Sequence, residues 1–425
     1  MRNLCEAVLC SQQATPTRTF PQREHNAVLK VCFWSSLSRR QTNSPMAFPS
    51  NEHPGAMSTL KVAWDNCFAR KDPGGSGVYA ARLLEQFSVR KDLSTTIFNG
   101  LSGALATKNC AGRACRTLGN MLWMHAGLPG ILWKRGFDLL HAPAFLAPVA
   151  SPCPVVITIH DITYRLYPEH FASWWVHYMN VVMPRASKSA AGIICGSEHS
   201  KRDIMKVYGV CGKKIHVIPY GVNHDRFQPG TPLNEEWARS LGIRDGYLLH
   251  VGLFLHRKNI PLLLRAIAHL REKGKSKIQL VLAGLEFKKV AGATEIHQTI
   301  RDLALHDNVV ITGYVPDRHM PGLYAQAKLL VMPSLYEGFG FPILESMAAG
   351  TPVVASDTSS LPEVAGDAAI LVSPTDEDAL AEAIETVLAK PTLSAELRMK
   401  GLARARQFNW QRTAAETVNV YRSIV

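Results

Sequence analysis

No stretch of this chain reaches the ~18 consecutive apolar residues that a membrane span needs. The nearest approach, NMLWMHAGLPGILW at Asn120–Trp133, is broken by Gly127, Pro129 and Gly130. Cysteine is present but unorganised: nine residues, an odd number, with no C-x-x-C. The closest pair in the part expected to fold, Cys110 and Cys115, has no clustered histidine beside it. That pattern excludes a structural zinc site and a disulfide framework, and points to a reducing compartment. No secretory leader pattern is evident, so a cytoplasmic location is expected. Charge is sparse: 19% of the 425 residues are charged and 47% are hydrophobic, the balance of an α/β globular protein with two or three domains.

The net charge of +13 is unevenly spread. Residues 1–57 carry 6 Lys/Arg against 3 Asp/Glu, residues 58–225 carry 19 against 10, and residues 226–425 carry 22 against 21. The excess therefore lies in the first folded half. It would suit an anionic membrane surface, a phosphorylated acceptor or nucleic acid.

Residues 1–57 lack a sustained period of 2 or 3.6 and are read as a disordered extension, with Met57 a plausible start. Then short apolar runs alternate with helical stretches. LKVAWD (60–65) precedes a loop with Gly74, Gly75 and Gly77 and a helix expected from about Val78. DLLHAP, VVITIHD, AGIICGSEHS and KIHVIPYGV follow, each with polar residues at its C-terminal end, including His160, Asp161 and Ser197. Open parallel sheets bind ligands at that edge. A linker rich in Pro and Gly spans about 220–236, and a second alternation runs through YLLHVG, IQLVLAG, NVVITGYV, KLLVMPS, PVVASD and AAILVS. The expected domains are 58–225 and 237–405, two Rossmann-like halves facing a cleft, with a terminal helix over 406–425.

The densest chemistry lies in SLYEGFGFPILESMAAGTPVVASD, Ser334–Asp357. A strand, a loop carrying Glu337, Gly338, Phe339 and Gly340, and a helix starting near Phe341 together aim free N–H groups and a helix dipole at one point. Carboxylates flanking such an anion site suit the hydroxyls on either side of a diphosphate, a ribose for Glu345 and a sugar for Glu337. That implies a nucleotide-sugar. Arg257 and Lys258, after YLLHVG and just before a helix, could neutralise a diphosphate. Gly284 and the Gly313–Tyr314 turn end strands near where the base would lie. The one D-x-D, Asp376–Glu377–Asp378, sits where a helix should start and is read as a cap.

EGFGFPILE, with MAAGTPVV after it, resembles the E-x(7)-E signature of retaining glycosyltransferases of the GT-B fold, the family-four or group 1 type. The likeness runs over most of 61–425. It implies a transferase moving a sugar from a nucleotide-sugar to a hydroxyl of a glycan or lipid-linked acceptor. TIHDITYRLYPEHF resembles the mannosyltransferase members, which implies mannose from GDP-mannose as the donor. By position, Arg257 and Lys258 match the family's diphosphate pair. His160 falls where a histidine lies beside donor sugar and acceptor, and the glycine-rich loop where donor phosphates and acceptor meet. The last helix is expected to cross back onto the first domain. Neither a metal nor a cofactor is expected, since Arg257, Lys258 and a helix N-terminus could stabilise the leaving diphosphate. Alternatives are a sugar phosphorylase, for which no pyridoxal phosphate lysine site is recognisable, a nucleotide-sugar epimerase, and a basic nucleic-acid binder, which charge alone supports. A lipid-linked acceptor explains the charge equally well, with residues 58–225, the stretch Asn120–Trp133 and Trp174 and Trp175 touching the inner face of a membrane.

Overall fold

A computed structural model describes residues 59–72, 74–100, 118–275, 277–285 and 291–425. The N-terminal extension and the Cys110–Cys115 pair lie outside the described residues. Thr59–Val425 holds two sheets, each of six parallel strands. The first contains β1 (Leu60–Asp65), β2 (Leu93–Phe98), β3 (Leu139–Ala142), β4 (Val155–Thr158), β5 (Gly192–Cys195) and β6 (Ile215–Val217), in the order β2-β1-β3-β4-β5-β6. The second contains β7 (Leu248–Val251), β8 (Leu280–Ala283), β9 (Val309–Gly313), β10 (Leu329–Met332), β11 (Val353–Ser356) and β12 (Ile370–Val372), in the order β12-β11-β10-β7-β8-β9.

Most strands are short apolar runs bounded by polar or glycine residues. VVIT, GIIC, LLVM and VVAS are buried at every position, as helix-covered parallel strands must be. β2 has no counterpart among the strands expected from sequence. Its sequence, LSTTIF, is polar in the middle, and only Leu93 is fully buried, because it sits at the sheet edge and pairs with β1 alone.

Four helices place the functional groups: α1 (Gly75–Ser88), α2 (Glu198–Tyr208), α3 (Phe341–Ala348) and α4 (Trp410–Ile424). α1 starts at Gly75, three residues before the expected Val78, so the glycines form its first turn. The terminal helix, α4, does cross back to the first half. Tyr421 bonds Nδ1 of His141 on β3, whose Nε2 lies 2.8 Å from the Thr158 hydroxyl on β4. Burial holds that imidazole down at about 3, so it stays neutral. One apolar cluster runs from Val62 and Ile194 through Tyr220, Phe339 and Trp410 to Leu249 and Val353, which joins the halves along a seam. Asp376 caps its helix, as read from the sequence: its carboxylate accepts the Ala379 N–H at 2.9 Å.

The stretch Asn120–Trp133 is helical, with a π-helical turn at Trp123–Gly127 leading into Leu128–Arg135. Met124, Leu128 and Leu132 face the core, whereas Leu118, Leu122 and Trp133 are exposed. Of the two adjacent tryptophans, Trp174 is exposed, but Trp175 turns inward against Phe68 and Tyr178. Trp174 is thus the more exposed of the two, and Trp175 is half-buried.

Candidate active site

β7 and β10 are neighbours from which the chain departs in opposite directions, to β8 and β9 on one side and to β11 and β12 on the other. A crevice opens outside the carboxyl ends of two such strands. The turn His256–Lys258 follows β7, and the Glu337 loop follows β10, so both arrive at that crevice.

There Arg257, Lys258 and Glu337 form an ion triad, with Lys258 and Glu337 buried and Arg257 half-buried. The Arg257 Nη1 group donates to Glu337 Oε2 at 2.9 Å and to the Tyr336 carbonyl at 3.0 Å, and Lys258 Nζ donates to Glu337 Oε1 at 2.6 Å. Burial alone would raise the Glu337 carboxyl, but Lys258 and Arg257 together outweigh it and hold the group at about 2. The backbone supports the loop: Glu337 N–H donates to Ser359 Oγ at 3.0 Å, and the Ser360 hydroxyl reaches the carbonyls of Glu337 and Phe339 at 2.8 Å. Arg257 Nε is buried with no partner among the described residues. The sequence reading separated these groups, with the cations on a diphosphate and Glu337 on a sugar. The structure ties them to one another, so a bound diphosphate would compete with Glu337 for both cations.

Gly340, whose φ of +114° suits only glycine, immediately precedes α3, and no side chain caps the helix's first turn. Pro342 has no N–H and the Ile343 N–H donates to the Gly340 carbonyl at 3.0 Å, so in this first turn it is the Phe341 N–H that is left for a ligand. Glu345 lies one turn in, and its Oε2 accepts the Tyr324 hydroxyl at 2.7 Å. Burial lifts this carboxyl to about 7, against the pull of Tyr324 and Arg226. Arg226 is itself engaged with Asp317 at 2.7 Å.

The first half closes on this loop. An added Cβ at Gly338 would fall 2.3 Å from the His160 carbonyl and 2.8 Å from Asp161 Cβ, so no larger residue fits. Ser197 caps α2 and donates to the Gly338 carbonyl at 3.0 Å, and the Ser200 hydroxyl lies 3.1 Å from the carbonyls of Gly338 and His160. Glu363, from the second half, accepts the N–H groups of Glu198 at 2.7 Å and His199 at 2.8 Å, completing the α2 cap. Tyr336 donates to Asp203 at 2.8 Å.

His160 is buried with both ring nitrogens occupied: Nε2 donates to the Pro143 carbonyl at 2.9 Å, and Nδ1 accepts the Tyr220 hydroxyl at 2.8 Å. Burial lowers its pKa, so it is a neutral imidazole in a fixed tautomer. Asp161 accepts the Thr163 N–H at 2.8 Å. The glycine-rich loop does reach α3, since a Cβ on Gly75 would touch the Phe341 ring at 3.1 Å. Its anion position, however, is filled from within: the Asp72 carboxylate accepts the Gly74 N–H at 2.7 Å and the Ser76 hydroxyl. Tyr314 stands apart, exposed at the end of edge strand β9.

The sequence thus brings Arg257, Lys258, Glu337, Gly338, Phe339, Gly340, Phe341, Glu345, Gly75, His160, Asp161 and Ser197 to one place, with Gly74 and Gly77 at the adjoining start of α1. It gave no sign of Tyr324, Ser359, Ser360, Tyr336 or Glu363. Each of these acts through a contact distant in the chain, with no local spacing to mark it.

The chain matches the family described as Glycosyl transferases group 1 over residues 234–406 and Glycosyltransferase Family 4 over residues 73–226. It is 32% identical over 291 residues to the O-antigen chain mannosyltransferase B of Escherichia coli, an alignment covering 67% of this chain and 74% of that protein. It is 32% identical over 311 residues to the MMP alpha-(1->4)-mannosyltransferase of Mycolicibacterium hassiacum, covering 69% and 72%. The fold is that of the Anabaena protein HepE solved with UDP-glucose, at a TM-score of 0.67 and 20% identity over 86% of this chain and 100% of that one. Two parallel Rossmann-like halves, a crossing terminal helix and relatives of these activities place the chain in the group 1, or family 4, glycosyltransferases of the GT-B fold, and it is a glycosyltransferase.

Proposed function

We propose that this enzyme transfers mannose from GDP-mannose to a hydroxyl of a glycan or lipid-linked acceptor, with retention of anomeric configuration. The observation that carries the reading is the Arg257–Lys258–Glu337 triad beside the uncapped start of α3, at the switch point of the second sheet. Two relatives with mannosyltransferase names support the choice of sugar. The diphosphate takes Arg257, Lys258 and the Phe341 N–H at the start of α3, Glu345 accepts the ribose hydroxyls, and Glu337, released from the cations, turns to the sugar. As the bond from the sugar's anomeric carbon to the phosphate oxygen breaks, charge grows on the diphosphate and is stabilised by groups already in place. The acceptor hydroxyl attacks from the same face, its oxygen bonds the anomeric carbon, and its proton passes to the departing phosphate. With two cations on the leaving group, no metal is required.

A thermal-shift panel of GDP-, UDP-, ADP- and dTDP-sugars tests the donor. GDP-mannose should give the largest stabilisation and support turnover unchanged by EDTA. A larger shift with another sugar nucleotide would replace the donor, and loss of turnover in EDTA would replace the metal-free chemistry.

The acceptor reading extends to the surface. Leu118, Leu122, Trp133 and Trp174 are exposed, and the basic residues Lys134 and Arg135 end the helix that carries Trp133. This combination of apolar and basic groups suits an anionic bilayer interface.

A further inference from the structure

The segment after Asp161 reaches across to the triad. Thr163–Leu166 makes one helical turn and Pro168–His170 a 3-10 turn, with Tyr167 between them. The Tyr167 ring centre lies 6.3 Å from His256, which adjoins Arg257, and 6.5 Å from Tyr336, which adjoins Glu337. Tyr167 thus comes from the first half and stands at the mouth of the donor crevice in the second. The His170 ring stacks on it at 5.6 Å and 5°, whereas His256 and Tyr336 approach it tilted at 50° and 48°. Its hydroxyl makes no hydrogen bond among the described residues.

His170 is the more telling of the two. Its side chain is 2% exposed, and neither ring nitrogen has a hydrogen-bond partner among the described residues. The Glu169 carboxylate stands 3.9 Å from Nε2, beyond hydrogen-bond reach. Buried polar groups are almost always paired, and an unpaired one calls for an explanation. Burial lowers the imidazole's pKa, which leaves one nitrogen to donate and one to accept. That is the complement of a sugar hydroxyl, which does both, and a poor match to an anion. The aromatic ring beside it offers an apolar surface to the C–H face of a pyranose.

We propose that Tyr167 and His170 form the acceptor subsite and take a neutral pyranoside, with the Tyr167 ring as its wall and the His170 nitrogens as ligands to its hydroxyls. The assignment rests on the transferase reading above and names the substrate class on its acceptor side. No donor group is involved: Arg257, Lys258, Glu337 and Glu345 all belong to the other half.

Saturation-transfer NMR on the full chain, saturated with the nucleotide preferred in the thermal-shift panel, tests it. The probes are methyl α- and β-glycosides of mannose, glucose, galactose and N-acetylglucosamine. Wild type and Tyr167→Phe should bind at least one of them. Tyr167→Leu and His170→Ala should each weaken that binding at least tenfold while nucleotide affinity stays within twofold of wild type. Wild-type binding by Tyr167→Leu would overturn the proposal, as would the absence of binding to any glycoside in wild type. Parallel loss of nucleotide affinity in both variants would make the pair structural and overturn it too. Failure of every donor to support transfer would remove the transferase chemistry but leave this binding result legible.

Discussion

Glu337 and Glu345 share one motif, eight positions apart, yet the fold holds their carboxyls in opposite states. Glu337 is kept ionised at about 2 by two cations, while burial lifts Glu345, which accepts the Tyr324 hydroxyl, to about 7. The same residue type serves two purposes because the partners differ. Glu345 can accept two ribose hydroxyls only as a carboxylate, so nucleotide affinity should depend on pH. Below about 7 the free enzyme's carboxyl takes a proton, and binding must then expel it. Affinity should therefore fall as pH drops from 8 to 6, by at most about tenfold per pH unit for a single proton. Glu345→Gln should bind more weakly at pH 8 and lose the slope. The sign for stability is the reverse of a paired carboxylate's. The folded-state pKa is raised, so Glu345 contributes stability below its unfolded value, and that is lost as pH rises toward about 7. Calorimetry of nucleotide binding across this range checks the point, and an identical slope in wild type and Glu345→Gln would remove Glu345 from the ribose.

Among the elements, the α2 start and the Glu337 loop act as a pair, each supplying what the other lacks. The α2 N–H groups find Glu363 from the opposite half, and the Gly338 carbonyl finds Ser197 and Ser200. Such contacts need the backbones to meet, which is why position 338 must be glycine. Gly338→Ala would drive a methyl group into the His160 carbonyl. Overpacking of this kind costs about 1–3 kcal/mol. Transfer should fall at least tenfold while nucleotide binding, which uses the second half, falls little. Wild-type turnover in Gly338→Ala would show that the halves need not close here. This pairing also marks the limit of the sequence. Buried parallel strands such as VVIT and LLVM are legible because every position is apolar. LSTTIF is not, because an edge strand is half solvated and its threonines read equally as loop. Glu337, Arg257 and Lys258 stand out in the sequence, but their mutual pairing does not, since 79 or 80 residues separate the partners. Likewise His160 is visible, while its fixed neutral tautomer depends on Tyr220 and Pro143, which no spacing connects to it.

At the scale of the molecule, the two halves differ in charge and in what they leave uncovered. Net charge is +9 over residues 58–225 and +1 over residues 226–425. The proposed donor site belongs to the nearly neutral half, so the basic surface lies apart from the groups proposed to hold the diphosphate. It is the first half that exposes Leu118 at 59%, Leu122 at 58%, Trp133 at 78% and Trp174 at 48%. These side chains are not a failed core. On the same helical stretch Met124, Leu128 and Leu132 are fully enclosed, and His125 is tied to Tyr178 at 2.9 Å, which fixes the stretch to the body. No helix among the described residues is long and apolar enough to cross a bilayer, so contact would be interfacial. Each Lys or Arg near an anionic surface adds about 1 kcal/mol, and that attraction fades within a Debye length. Co-sedimentation with vesicles should therefore increase with phosphatidylglycerol content and weaken as salt rises. Leu122→Ser with Trp133→Ser should reduce binding at every salt concentration, while Lys134→Gln with Arg135→Gln should chiefly flatten the salt dependence. If the wild-type chain fails to sediment with anionic vesicles at low salt, the exposed aromatics have another purpose and the acceptor need not be lipid-linked.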